Sequence, residues 1–129
     1  MGLFLILGLL TSCATQPPIK KEEDEKGILQ KRAEDYWQYQ IKGDIEKAYQ
    51  CEAPEFREKV SLIQYINRFK LVKYLEAKVS PIEINGDRGK VSVDITYKML
   101  LQHISRKDLK KVVEEKWTRV NGVWYHIPE

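Results

Sequence analysis

A metal centre, an activated nucleophile or an acid–base pair would each leave a mark in residue type and spacing. The two histidines, His103 and His126, stand 23 residues apart. Neither has a second histidine or a cysteine three or four residues away, as a helical or turn metal site needs. No metal ion and no cofactor is predicted. Gly86 and Gly89 flank charged turn residues, and no lysine-serine or lysine-threonine pair follows them, so there is no phosphate-cradling loop. Ser12, Ser61, Ser80, Ser92 and Ser105 occupy leader, cap, turn or polar-strand positions, and none is marked as a nucleophile. The carboxylates and phenols that could meet in an apolar pocket and move a proton are Asp35, Asp94, Tyr36, Tyr39 and Tyr97. Asp94 alternates with Val93 and Ile95 and should point to solvent, and Asp35 is one of several charges on its helix. The reading therefore leans away from an enzyme, with a small pocket enzyme as the alternative.

The elements that would position these groups are legible as two periodicities. Leu29, Ala33, Tyr36, Trp37 and Ile41 recur at three- and four-residue steps and predict a helix over residues 28–41. Gly43 ends it, and Asp44 can cap a short second helix carrying Ile45, Ala48 and Tyr49. Pro54 interrupts the pattern, and Ser61 opens a third helix with Leu62, Tyr65, Ile66 and Phe69 on one face. After Lys70 the period becomes two. Leu75, Ala77 and Val79, then Ile82 and Ile84 after Pro81, mark a strand, and residues 85–89 a turn. Val91, Val93, Ile95, Tyr97, Met99 and Leu101 mark a second strand, followed by a polar loop at 102–108. Asn121-Gly122 joins the last two strands, because both residues accept the positive φ of a type I′ turn. That register sets Trp117 opposite His126 and Arg119 opposite Trp124, all on one face. Tyr36, Tyr97, Trp117, Trp124 and His126 are thus the candidate pocket or binding face, whether they pack against the helices or line a pocket mouth. Cys51, in the second helix, reads as an inert apolar thiol, the alternative being a disulfide to Cys13.

The N-terminus carries a different signal. Residues 3–10 form an apolar run broken by Gly8, too short to cross a bilayer as a helix and suited to an export signal. Leu10-Thr11-Ser12-Cys13 follows directly and resembles the lipobox of bacterial lipoproteins. That resemblance implies a signal peptide over residues 1–12, cleavage before Cys13, a thioether-linked lipid on its sulfur, and acylation of the new α-amine. Two or more acyl chains, such as palmitate, give stable anchoring. No Lys or Arg precedes the run, a departure that leaves room for a start further upstream. Residues 13–26, with Pro17, Pro18 and a mixture of lysines and acids, have the composition of a flexible tether to a domain spanning 27–129. The implied location is the cell envelope, on the extracytoplasmic side of a membrane.

Helices first and an antiparallel sheet afterwards predict an α+β fold, with helices packed on one face of a curved sheet. Residues 32–37, 43–49, 54–57, 115–117 and 121–125 resemble, in order and spacing, the nuclear transport factor 2-like superfamily, also called the cystatin-like cone. The resemblance implies a cone between helices and sheet that hosts a ligand in some members, such as ketosteroid isomerase and scytalone dehydratase. Many other members are non-catalytic, so the fold leaves the function open.

Charge narrows the partners. The 22 basic and 19 acidic residues of this 129-residue chain give a net charge of +3 with both signs interspersed, so no nucleic-acid partner is implied. The expected function is that of a membrane-anchored, non-catalytic binding or assembly module for a small apolar ligand or an envelope protein.

Overall fold

The computed structural model describes residue 2 and residues 18–100 and 107–129. Cys13, His103, the expected leader beyond Gly2 and the first part of the expected tether lie outside the described residues. Four helices precede four strands: α1 Pro18–Lys42, α2 Ile45–Gln50, α3 Pro54–Lys59, α4 Leu62–Arg68, β1 Val72–Asn85, β2 Arg88–Met99, β3 Leu109–Val120 and β4 Val123–Ile127. The strands form an antiparallel meander in sequence order, with the helices on one face. The α+β layer expected from the two periodicities is present.

Helix α1 is longer than its apolar stripe. Residues 18–26, expected to be flexible tether, are its first turns. Proline suits a helix's first position, where its missing N–H is unpartnered anyway, and Lys and Glu are good helix formers. Glu25 also pairs with Arg119 on β3 at 3.6 Å, which ties this part of the helix to the sheet. Beyond it four of the five predicted stripe residues are buried, Leu29, Ala33, Tyr36 and Trp37 being 5% exposed or less, while Ile41 near the helix end is half-buried.

Pro54 does more than interrupt the pattern, because it is the first residue of α3. Ser61 caps α4 through a full capping box, its hydroxyl accepting from the Gln64 N–H while the Gln64 side chain accepts from the Ser61 N–H. Asp44 sits at the cap position of α2, but its carboxylate makes no capping bond and turns to Lys47 at 3.5 Å.

In the sheet, β1 is an edge strand that runs through Pro81, with irregularities between Tyr74 and Glu76 and between Pro81 and Glu83. Proline is tolerated there because an edge strand need not donate from every residue. On β2, Val91, Val93 and Ile95 are buried and Asp94 is exposed, as the alternation predicts. The described strand ends at Met99, and Leu101, expected to continue it, lies outside the described residues. The β3–β4 hairpin has the expected register, Trp117 with His126 and Arg119 with Trp124, and Asn121 and Gly122 take φ of 51° and 79°. Its Trp117 face is the inner one, with Trp117 at 0% and Trp124 at 2% exposure. Gly89 allows a close approach, since a Cβ there would stand 2.7 Å from Leu29 Cδ2 and 3.3 Å from the Trp124 ring, so that a larger residue would force Leu29 to shift.

Candidate functional site

The buried polar groups converge where α2, α3 and β4 meet. Helix α2 stops at Gln50, and Ala53, which precedes proline, is held extended at φ −54° and ψ 141°. The short segment between them pairs in parallel with β4: the His126 N–H donates to the Cys51 carbonyl at 2.8 Å, and the Ala53 N–H donates to the His126 carbonyl at 2.8 Å. This pairing sets Glu52 beside His126.

Four side chains close around the Glu52 carboxylate and its neighbour Glu115. The hydroxyls of Tyr36 and Tyr65 both donate to Glu52 Oε1 at 2.7 Å. His126 Nδ1 lies 2.7 Å from Glu52 Oε2, and its Nε2 lies 3.1 Å from Glu115 Oε2. The Trp37 indole N–H donates to Glu115 Oε1 at 3.2 Å. Glu52 and Glu115 are 1% and 7% exposed. Aromatic rings wall the cluster, with Tyr36 stacked on His126 at 4.7 Å between centroids and Trp117 edge-on to both.

The electrostatics follow from this geometry. Burial by itself disfavours a charged imidazole, but the hydrogen bonds from His126 to Glu115 and Glu52, and the charges of both carboxylates, outweigh it and raise the histidine to about 9. Both ring nitrogens then carry protons and donate. Burial, followed by the charge of Glu52, pushes the Tyr36 and Tyr65 phenols well above their ordinary value. Burial likewise raises the Cys51 thiol, which fits the inert, apolar cysteine expected from sequence.

This cluster borders a cleft of about 370 Å³ between α1, α4 and the sheet, lined also by Phe56, Phe69, Tyr74 and Val113, with Arg68 and Lys111 among its residues. The hydroxyls of Tyr36 and Tyr65, the Trp37 N–H and both ring nitrogens of His126 are committed to the two carboxylates, while the Trp117 N–H behind them has no acceptor among the described residues. Raised to about 9, His126 favours its protonated form at neutral pH. A wider depression of about 870 Å³ lies beside Lys78, Asp94 and Lys110, where mixed charges bring no chemical groups together.

Of the five sequence candidates, the structure brings Tyr36, Trp117 and His126 into one aromatic cluster. Trp117 sits behind the other two and does not line the cleft. Trp124 is buried elsewhere on the inner face, under the Arg119 guanidinium at 5.0 Å. Tyr97 is half-buried at the far part of β2 beneath Lys111 and is not part of the cluster. Asp35 pairs with Lys31 on the surface of α1. Sequence reasoning missed Glu52, Glu115, Tyr65 and Trp37 as partners. The alternation that turns Trp117 and Arg119 inward also turns Glu115 inward, a signal that was present. Glu52 had none.

No protein-family profile matches the chain, and neither does any curated protein. Among solved structures it is similar to the solution structure of a SEC-C motif containing protein from Rhodopseudomonas palustris, with a TM-score of 0.58 and 15% identity over 71% of this chain and 69% of that one. That likeness is one of fold alone.

Proposed function

We propose that this protein is an envelope-anchored, non-catalytic binding module of the nuclear transport factor 2-like, cystatin-like cone class. The observation that carries the non-catalytic part is the commitment of the four donor side chains that surround the two buried carboxylates. Tyr36, Tyr65, Trp37 and His126 all spend their protons on Glu52 and Glu115. With His126 raised to about 9 and both its ring nitrogens directed at Glu52 and Glu115, neither the imidazole nor the two buried carboxylates is free to act as a base. The other acids of the cleft, Glu114 and Glu129, are solvent-exposed, and the buried network serves to fix the helices on the sheet. The aromatic cleft beside it suits a small apolar ligand. The order of helices followed by a meander, with a cleft between the layers, supports the cone class.

The anchor rests on the apolar run and Leu10-Thr11-Ser12-Cys13. Among the described residues no helix is long and apolar enough to cross a membrane. Lipid at Cys13 would hold the domain to the envelope from its N-terminal side. Radioactive fatty-acid labelling and membrane fractionation of the expressed chain test the anchor: label is expected on the wild type and absent from Cys13→Ser, and equal labelling of both contradicts it. Nile red binding tests the cleft, where Val113→Phe should fill the space and reduce the fluorescence gain, and an unchanged gain would place the binding elsewhere.

A second reading, a small pocket enzyme of isomerase or dehydratase type, draws on the position of Glu52 and His126 at the cleft wall.

A further inference from the structure

A second concavity, of about 390 Å³, opens where the C-terminal end of α1, the start of α2, the end of α4 and the start of β1 meet. Its apolar surface comes from Ile41, Ile45, Phe69 and Val72, with Ile66 and Leu100 left 38% and 53% exposed. Three cations, Lys42, Lys70 and Lys73, complete its lining, and no acidic residue contributes to it. None of the three lysines forms an ion pair with a described residue. The nearby acid, Asp44, is turned to Lys47 instead.

This combination is selective. An apolar partner alone would leave three unanswered positive charges at its edge, and a hydrophilic anion alone would leave the isoleucines and leucine in water. A ligand that answers both has an alkyl chain and one anionic end. We propose that this groove binds a single-chain anionic amphiphile of the fatty-acid class, its chain along Ile41, Ile66 and Phe69 and its carboxylate among Lys42, Lys70 and Lys73. The concave shape, within the usual volume range of small-molecule sites, favours one molecule over a flat lipid surface. The proposal is independent of the anchor at Cys13. It also uses different charges from the inner cleft, although Gln40, Phe69 and Tyr74 line both.

The test is calorimetric titration of the full chain carrying Cys13→Ser with dodecanoate, kept below its micelle-forming concentration. Saturable one-to-one binding is expected, weakening with added salt. Dodecanol should bind at least about tenfold more weakly, and the Lys70→Gln/Lys73→Gln pair should weaken dodecanoate by about tenfold or more at an unchanged melting temperature. Val113→Phe, in the inner cleft, should leave dodecanoate affinity unaltered. Equal affinity for dodecanol, indifference to the lysine pair, or loss through Val113→Phe instead would overturn the proposal. So would binding to phosphatidylglycerol vesicles without binding to monomeric dodecanoate, which would make the groove a membrane-docking surface.

Discussion

Glu52 and His126, 74 positions apart in the chain, meet through backbone and side chain at once: a parallel bridge joins their main chains, and His126 Nδ1 lies 2.7 Å from Glu52 Oε2. The contact ties the irregular segment between α2 and α3 to the last strand. It therefore joins the helical layer to the sheet through both main chain and side chain.

Removing one partner should cost more than the contact contributes. Glu52→Ala leaves His126 with a single carboxylate and strands the hydroxyls of Tyr36 and Tyr65 in a buried site. A loss of about 3–5 kcal/mol in unfolding free energy is expected from urea melts. Glu52→Gln should cost less, since an amide oxygen still accepts from the phenols. Equal melting of wild type and Glu52→Ala would show that the network does not fix the fold.

The pH dependence of stability has a definite sign. His126 has its folded value raised to about 9 from an ordinary 6.5, so its contribution is complete below pH 6.5 and is lost as pH rises through 9. The fall over that window should be about 3 kcal/mol at most. His126→Gln should be less stable at pH 6 and flat between pH 6.5 and 9, as read by thermal melts across that range. A wild-type stability that climbs over the same window would reverse the assignment.

Trp117 is a core anchor with a flaw. It is fully buried and edge-on to Tyr36 and His126, yet its indole N–H has no acceptor among the described residues. Trp117→Ala should cost about 3–5 kcal/mol, while Trp117→Phe, which removes the unpaired donor with part of the volume, should cost clearly less. Chemical denaturation of the two variants separates packing from polarity. Equal losses would mean that the indole N–H is not a burden.

Gly89→Ala should destabilise by about 1–3 kcal/mol, because the new methyl meets Leu29, itself fully buried, and the Trp124 ring. A melting temperature within a degree of wild type would show that Leu29 has room to move.

What could be read from sequence was local. The α1 stripe, the Ser61 cap and the Asn121-Gly122 hairpin each depend on residues within a turn or two of one another, and each is present. The start of α1 is not legible in composition, because mixed lysines and acids describe a tether and a solvated helix equally well. The Arg119 contact that steadies Glu25 lies 94 residues away in the chain. Tyr36, Trp117 and His126 were found through their apolar positions. Glu52 was not, because a glutamate before Ala-Pro carries no periodicity, and only the pairing of its segment with β4 brings it inside. The chemistry of the site thus depends on a tertiary contact that no local pattern announces.

The measurement that bears most directly on a non-catalytic, structural role for this cluster is an NMR titration of the His126 ring nitrogens. At pH 7.5 both should be protonated and in slow exchange with solvent, with a midpoint near 9. A neutral imidazole at pH 7.5, titrating near its ordinary value with one nitrogen free toward the cleft, would contradict the account and give the site a working base.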